Sequence, residues 1–226
     1  MKAKEAGTGS RVERWAPYTV DHPEDTATLG SLELTSIALG FQAADAMVKA
    51  SGIELIDARA VCPGKFFILV CGTVADTGEA VEAGVVIAGK SLTGSFLIPN
   101  LSPTVLPAVN RYAGPGGLSR AAFPDAGDDP AVGIVETFSA ASAIYAADAS
   151  VKGAEAALES VNLVNGLGGK CYYLLVGDVT DVEAGLEAGR AAVDERDVVS
   201  TVIIPRVDPA ILPFFPGLVY GRGGRS

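Results

Sequence analysis

The sequence predicts an α+β protein made of two tandem copies of one βαββαβ unit, ferredoxin-like in its order. Three observations predict it. Short segments recur in the same order, at an offset that drifts only from 103 (Leu29 to Val132) to 106 (Ile98 to Ile204). Within each copy, apolar runs with strand alternation are interleaved with runs of helical spacing. Each copy also carries a glycine-lysine turn that feeds an apolar β run, Gly64-Lys65 in the first and Gly169-Lys170 in the second. Self-similarity of this extent marks a duplicated structural unit rather than a compositional accident.

The elements follow in order. Residues 1–28 are rich in charge, Gly, Thr and Pro, and read as a flexible tail. Leu29 to Leu34 alternates as a strand. Thr35 or Ser36 can cap the next helix, whose Ile37, Phe41, Ala44 and Val48 recur at helical spacing. Ile53 to Val61 and Phe66 to Val74 pair as strands through the Cys62-Pro63-Gly64-Lys65 turn, Pro fixing φ and Gly supplying freedom. Asp76-x-x-Glu79 has the form of a capping box opening a second helix, with Val81, Val85 and Ala88 on one face. Ser95 to Ile98 closes the sheet, leaving both helices on one side of it. The first unit thus spans 29–109 and the second 132–215. Between them, 110–131 is dense in Gly, Pro and Asp and reads as a linker, and 216–226 as a flexible C-terminal tail. A unit of about 80 residues is marginal alone, so the copies are expected to pack together.

Composition narrows the function classes. With hydrophobic residues at 49%, a net charge of −10 and a pI near 4.6, the chain is poorly suited to tracking nucleic-acid phosphates. No stretch approaches the roughly 20 apolar residues of a membrane helix, and the polar start argues against a secretory signal. Three cysteines in a chain of 226 residues argue for a reducing compartment over a disulfide framework, so a soluble, cytosolic protein is expected.

In combination, Leu-Glu-Leu-Thr-Ser (32–36), Ala-Asp-Ala-Met-Val-Lys (44–49), Pro-Gly-Lys-Phe (63–66), Gly-Ile-Val-Glu-Thr (133–137) and Gly-Leu-Gly-Gly-Lys-Cys-Tyr (166–172) carry a resemblance. The chain resembles bacterial microcompartment shell proteins of the tandem-domain, trimer-forming class, particularly those of propanediol-utilisation compartments. The resemblance covers 29–215 and departs from the family in its long N-terminal extension. It implies a homotrimer forming a flat pseudohexameric tile with a central pore, tiled with other microcompartment shell proteins and serving an encapsulated redox enzyme. It implies a pore rim of Pro63, Gly64 and Lys65 from one copy and Gly166, Leu167, Gly168, Gly169 and Lys170 from the other. Where tandem members carry a cysteine in the first pore loop, the place held here by Cys62, it implies a 4Fe–4S cluster on the three-fold axis. It also puts Lys49, Lys152 and Arg206 at tile edges, with Asn100 in the first copy where the second has Arg206.

Physical chemistry constrains these implications. One cysteine per chain cannot hold an iron–sulfur cluster, but a three-fold axis through the loop would bring three copies of Cys62 together. The second loop has Leu167 in the matching place, so a ring would alternate Cys and Leu. Lys65 nearby would favour the thiolate. The plainer reading of Cys62 is a free thiol in a turn, and that of Cys71 and Cys171 is buried apolar filling. The glycines around Lys170 do not make a phosphate loop, because Val164 and Cys171 stand where Gly and Ser or Thr are needed. Lys49 and Lys152 follow Asp45 and Asp148 by four residues, the spacing of an ordinary helix ion pair. His22 is the only histidine, so no triad or His-rich metal set is available, and the recurrence of Glu33 and Glu136 is better explained by fold than by acid–base chemistry. No enzyme is predicted. Two rivals stand beside the cluster-bearing tile, in which the cluster would relay electrons or block the pore. One is a tile with an empty pore conducting small metabolites. The other is a trimeric ligand-sensing regulator on a similar sheet.

Overall fold

A computed structural model of the chain describes residues 28–61, 63–109, 130–163, 169–208 and 210. Residues 1–27 of the expected N-terminal tail, 110–129 of the expected linker, 211–215 of the expected second unit, the expected C-terminal tail, Cys62, and Gly166, Leu167 and Gly168 lie outside the described residues; Thr28, expected in the tail, opens the first strand, and Ala131, expected in the linker, opens the first strand of the second copy.

The first copy runs β1 (Thr28–Leu34), α1 (Ile37–Ala50), β2 (Glu54–Val61), β3 (Lys65–Gly72), α2 (Val74–Ala88) and β4 (Leu92–Ile98). A short helix α3 (Val105–Ala108) follows. The second copy runs β5 (Ala131–Thr137), α4 (Ala140–Gly153), β6 (Ala157–Asn162), β7 (Cys171–Gly177), α5 (Val179–Ala191) and β8 (Val198–Ile204). Each copy forms one antiparallel sheet, ordered β2-β3-β1-β4 and β6-β7-β5-β8. The bulges repeat as well, at Glu33/Leu34 and Glu136/Thr137 and again at Leu55/Asp57 and Leu158/Ser160. A bulge sets local twist and is kept as a unit, so the duplication extends to backbone detail.

Alternation along the strands builds two faces. Leu32 and Leu34 join Phe66, Ile68 and Val70 beneath Ala43, Ala44 and Met47 of α1 and Ala80 and Ala88 of α2. Leu29, Phe67, Leu69, Cys71 and Ile98 point the other way. They belong to one continuous cluster that takes in Leu101, Val105 and Leu106 and runs on into Val135, Ile144, Ala147 and Leu175 of the second copy. Burying each large side chain there contributes about 1.5–3 kcal/mol. The copies therefore share a core.

Three local expectations are corrected. The residues at helical spacing in α1 do not mark its buried face: the helix buries Gly40, Ala43, Ala44 and Met47, leaving Ile37 at 44%, Phe41 at 62% and Val48 at 45% exposure. Small residues face the sheet because a Cβ at position 40 would overlap the Phe66 ring. The box opening α2 is Thr73-x-x-Asp76, not Asp76-x-x-Glu79. Thr73 Oγ1 accepts from the Asp76 N–H at 3.1 Å and donates to Asp76 Oδ2 at 2.7 Å. That cap stops β3 at Gly72, before Val74. The closing strand begins at Leu92 rather than Ser95, since the bulge beside Leu34 lets Leu92 continue the ladder. At α1, Ser36 is the cap, accepting from the Leu39 N–H, while Thr35 donates instead to the Ser91 carbonyl.

Candidate functional site

Two places draw the sequence-predicted residues together: the glycine-lysine turns, and the seam between the copies. In the first turn, Val61 pairs with Lys65, so only residues 62–64 cross between β2 and β3. Gly64 lies at φ +72° and Gly169, in the matching turn, at φ +89°. Both are left-handed conformations that a side chain disfavours, which is why glycine precedes lysine in each. Pro63 opens the described part of the first turn.

The lysines are tied down. Lys65 Nζ lies 3.1 Å from Glu33 Oε2, and Lys170 Nζ lies 3.0 Å from Glu136 Oε1. This accounts for the recurring glutamates, each of which accepts from the turn lysine of its own copy.

Of the three cysteines, Cys71 and Cys171 are buried in the sheets and free of disulfides, as expected for apolar filling. Among the described residues no three His, Cys, Asp or Glu side chains gather as a metal site. With Cys62 as the one cysteine outside the sheets, a cluster would have to draw Cys62 from several chains.

At the seam, Asp148 and Lys152 of α4 form an ion pair at 2.6 Å. Lys152 Nζ also donates to the Asn100 carbonyl at 2.7 Å, and Asp148 Oδ1 accepts from the Ser102 N–H at 2.7 Å. The Tyr145 hydroxyl donates to the Leu97 carbonyl at 2.9 Å, and Arg59 donates to the Leu163 carbonyl at 3.0 Å. Nothing in the residue pattern announced this seam, because in each of these bonds across it one partner is a backbone group, a carbonyl or the Ser102 N–H. Lys49 pairs with Asp45 at 2.6 Å with both side chains exposed, the helix pair foreseen from spacing and worth little by itself. Arg206 is exposed after β8. The structure thus brings Lys152 to the first copy and leaves Lys49 with Asp45 alone among the described residues.

One buried polar group lies apart from both places. The Tyr173 hydroxyl meets Ser150 Oγ at 2.8 Å, and Ser150 donates to the Gly185 carbonyl at 2.7 Å, which leaves Tyr173 as the donor between them. Burial pushes the Tyr173 phenol up to about 12, the Ser150 contact opposing it. No helix among the described residues is long and apolar enough to cross a membrane.

Comparison with known proteins agrees with this architecture. A family model described as the BMC domain matches twice, over residues 28–101 and 131–207. The chain is 38% identical over 179 residues to the bacterial microcompartment shell protein PduT of Citrobacter freundii, spanning 79% of this chain and 91% of that one. It is 28% identical over 195 residues to the carboxysome assembly protein CcmO of Synechocystis, spanning 82% of this chain and 63% of that one. A crystal structure of a microcompartment protein from Desulfitobacterium hafniense superposes with a TM-score of 0.72 at 38% identity, covering 82% of this chain and 98% of that chain. Two matched domains, their repeated sheet order and bulges, and a full-length relative together place the chain in the BMC-domain family, as a bacterial microcompartment shell protein of the tandem-domain class.

Proposed function

We propose that this chain is a shell tile working as a homotrimer, in which three chains of two domains each close a six-fold-like ring around a central pore. Cys62 of each chain would hold a shared 4Fe–4S cluster there. The observation that carries the tile reading is the duplication itself: two domains with the same sheet order, bulges and left-handed glycine turns are the parts from which a ring of near-equivalent positions is built. Support for the cluster comes from the cysteine inventory, since Cys71 and Cys171 are sealed in the sheets and Cys62 falls in the sequence between Val61 and Lys65, which pair. A bound cluster would supply one-electron chemistry, linking an encapsulated redox enzyme to the other side of the shell. The chain's own part is structural: Glu33 and Glu136 hold the bases of the turns, and Gly64 and Gly169 permit the tight path. Lys49 and Arg206 are proposed for tile-edge contacts with neighbouring shell proteins, whereas Lys152, expected there as well, is committed to the seam between the copies. No catalytic set is assigned.

Anaerobic purification with iron supplied tests the reading. The expected outcome is a trimer that is brown, with about four iron and four sulfide per three chains, and colourless as Cys62→Ser with its mass unchanged. A colourless wild-type trimer without iron would favour the empty, metabolite-conducting pore. A wild-type monomer would overturn the tile.

A further inference from the structure

One side chain, Arg59, reaches from the strand that opens the first glycine-lysine turn to the strand end that opens the second. It lies on β2, two residues before Val61, where that strand ends. Its Nε donates to Asp57 Oδ2 at 2.7 Å, and its Nη2 donates across the seam to the Leu163 carbonyl at 3.0 Å. Leu163 directly follows β6 and is the last described residue before the second turn, which closes at Gly169 and Lys170. That turn is therefore held at its exit by Glu136 of its own copy and at its entry by an arginine 104 positions away. The second copy does not repeat the device. Strand register sets Asp57 and Arg59 opposite Leu69 and Phe67, and sets Ser160 and Asn162 opposite Leu174 and Tyr172, the matching places at the offset of 105 that separates Lys65 from Lys170. There a neutral pair replaces the charged one, the Asn162 amide donating to Ser160 Oγ at 3.0 Å with both residues buried.

We infer that Arg59 is a positioning residue that ties the two turns together, so that the strand delivering Cys62 and the strand end leading to Leu167 keep a fixed relation. A guanidinium suits the task because its donors leave a planar fork in set directions: Asp57 fixes the fork through one, and another is aimed at the carbonyl. The side chains of Arg59 and Asp57 keep only 27% and 18% of their surface exposed, so this pair is screened less than the exposed Lys49–Asp45 pair. Leu163 is fully buried, so a donor withdrawn from its carbonyl is not replaced by solvent. The tie lies within one chain and needs no assembly. Its consequence for a pore rests on the tile reading: there, the Cys62 turn and the Leu167 turn of each chain are set as a pair, not separately.

Hydrogen exchange of the full chain, read by mass spectrometry, tests the tie on two peptides, one covering 61–65 and one covering 163–170. Arg59→Met removes the fork and is expected to speed exchange about tenfold or more in both, with the amides of β3 and β7 unchanged. Arg59→Lys keeps the charge without the fork and is expected to fall between the two. Lys49→Met removes a cation far from the turns in sequence and should leave both peptides at the wild-type rate. Equal exchange in wild type and Arg59→Met, or a rise confined to one of the two peptides, overturns the tie. A rise shared equally by β3 and β7 marks general loosening and overturns it as well. Should Arg59→Met not fold, Arg59→Lys carries the test by the same criteria. None of these outcomes depends on chain mass or iron, so the tie can fail while the tile stands, and a monomer that shows both rises keeps the tie without the tile.

Discussion

Tyr173 is the residue whose protonation the fold constrains most clearly. Its phenol is raised from an ordinary value of 10.0 to about 12 by burial, so the folded state holds its proton where the unfolded chain has released it. The sign follows: the stabilisation is whole below pH 10 and is lost as the pH climbs to 12, a loss of roughly 2–3 kcal/mol. Urea unfolding from pH 9 to 12 should show that fall, and Tyr173→Phe should flatten it. Gly40 makes the matching steric case. An added Cβ meets the Phe66 ring, so Gly40→Ala should cost about 1–3 kcal/mol by overpacking despite the better helix propensity of alanine, as read by chemical denaturation. The turn glycines and lysines were legible as residues. Their partners were not, because Glu33 precedes Lys65 by 32 positions and meets it only through the β1–β3 register.

At the scale of elements, the order of strands and helices could be read from periodicity, but the phase of α1 could not. That helix carries an inner stripe of small residues and an outer stripe of large ones, and both satisfy helical spacing. The sheet takes the small stripe because Phe66 already fills the space beneath it. The caps offer a direct check. Thr73→Ala should cost about 1 kcal/mol, since it removes the acceptor for the Asp76 N–H, whereas Glu79→Ala should stay within about 0.5 kcal/mol. Thermal unfolding of the two variants would separate the observed box from the one expected three residues later. In the first copy β3 stops at Gly72, next to the Thr73 hydroxyl that caps α2, whereas Asp178 before α5 makes no such side-chain bond.

For the whole molecule, the continuous cluster through both copies makes them one cooperative unit. Calorimetry should show a single transition, and Ile144→Ala, which opens a cavity at the seam, should lower stability by about 2–5 kcal/mol without splitting it. Two resolved transitions would show that the copies fold independently. The duplication, the βαββαβ order, the glycine turns and the buried character of Cys71 and Cys171 were determined by sequence alone. Each is local, or is a copy of something local, and a chain carries such information in its spacing. Which stripe of α1 faces outward, that Lys152 bridges to the first copy, and that Glu33 and Glu136 clamp the turns were decided only by tertiary structure. Those facts depend on backbone carbonyls, side-chain volumes and strand register that bring distant positions together, and none of these leaves a mark in the order of residues.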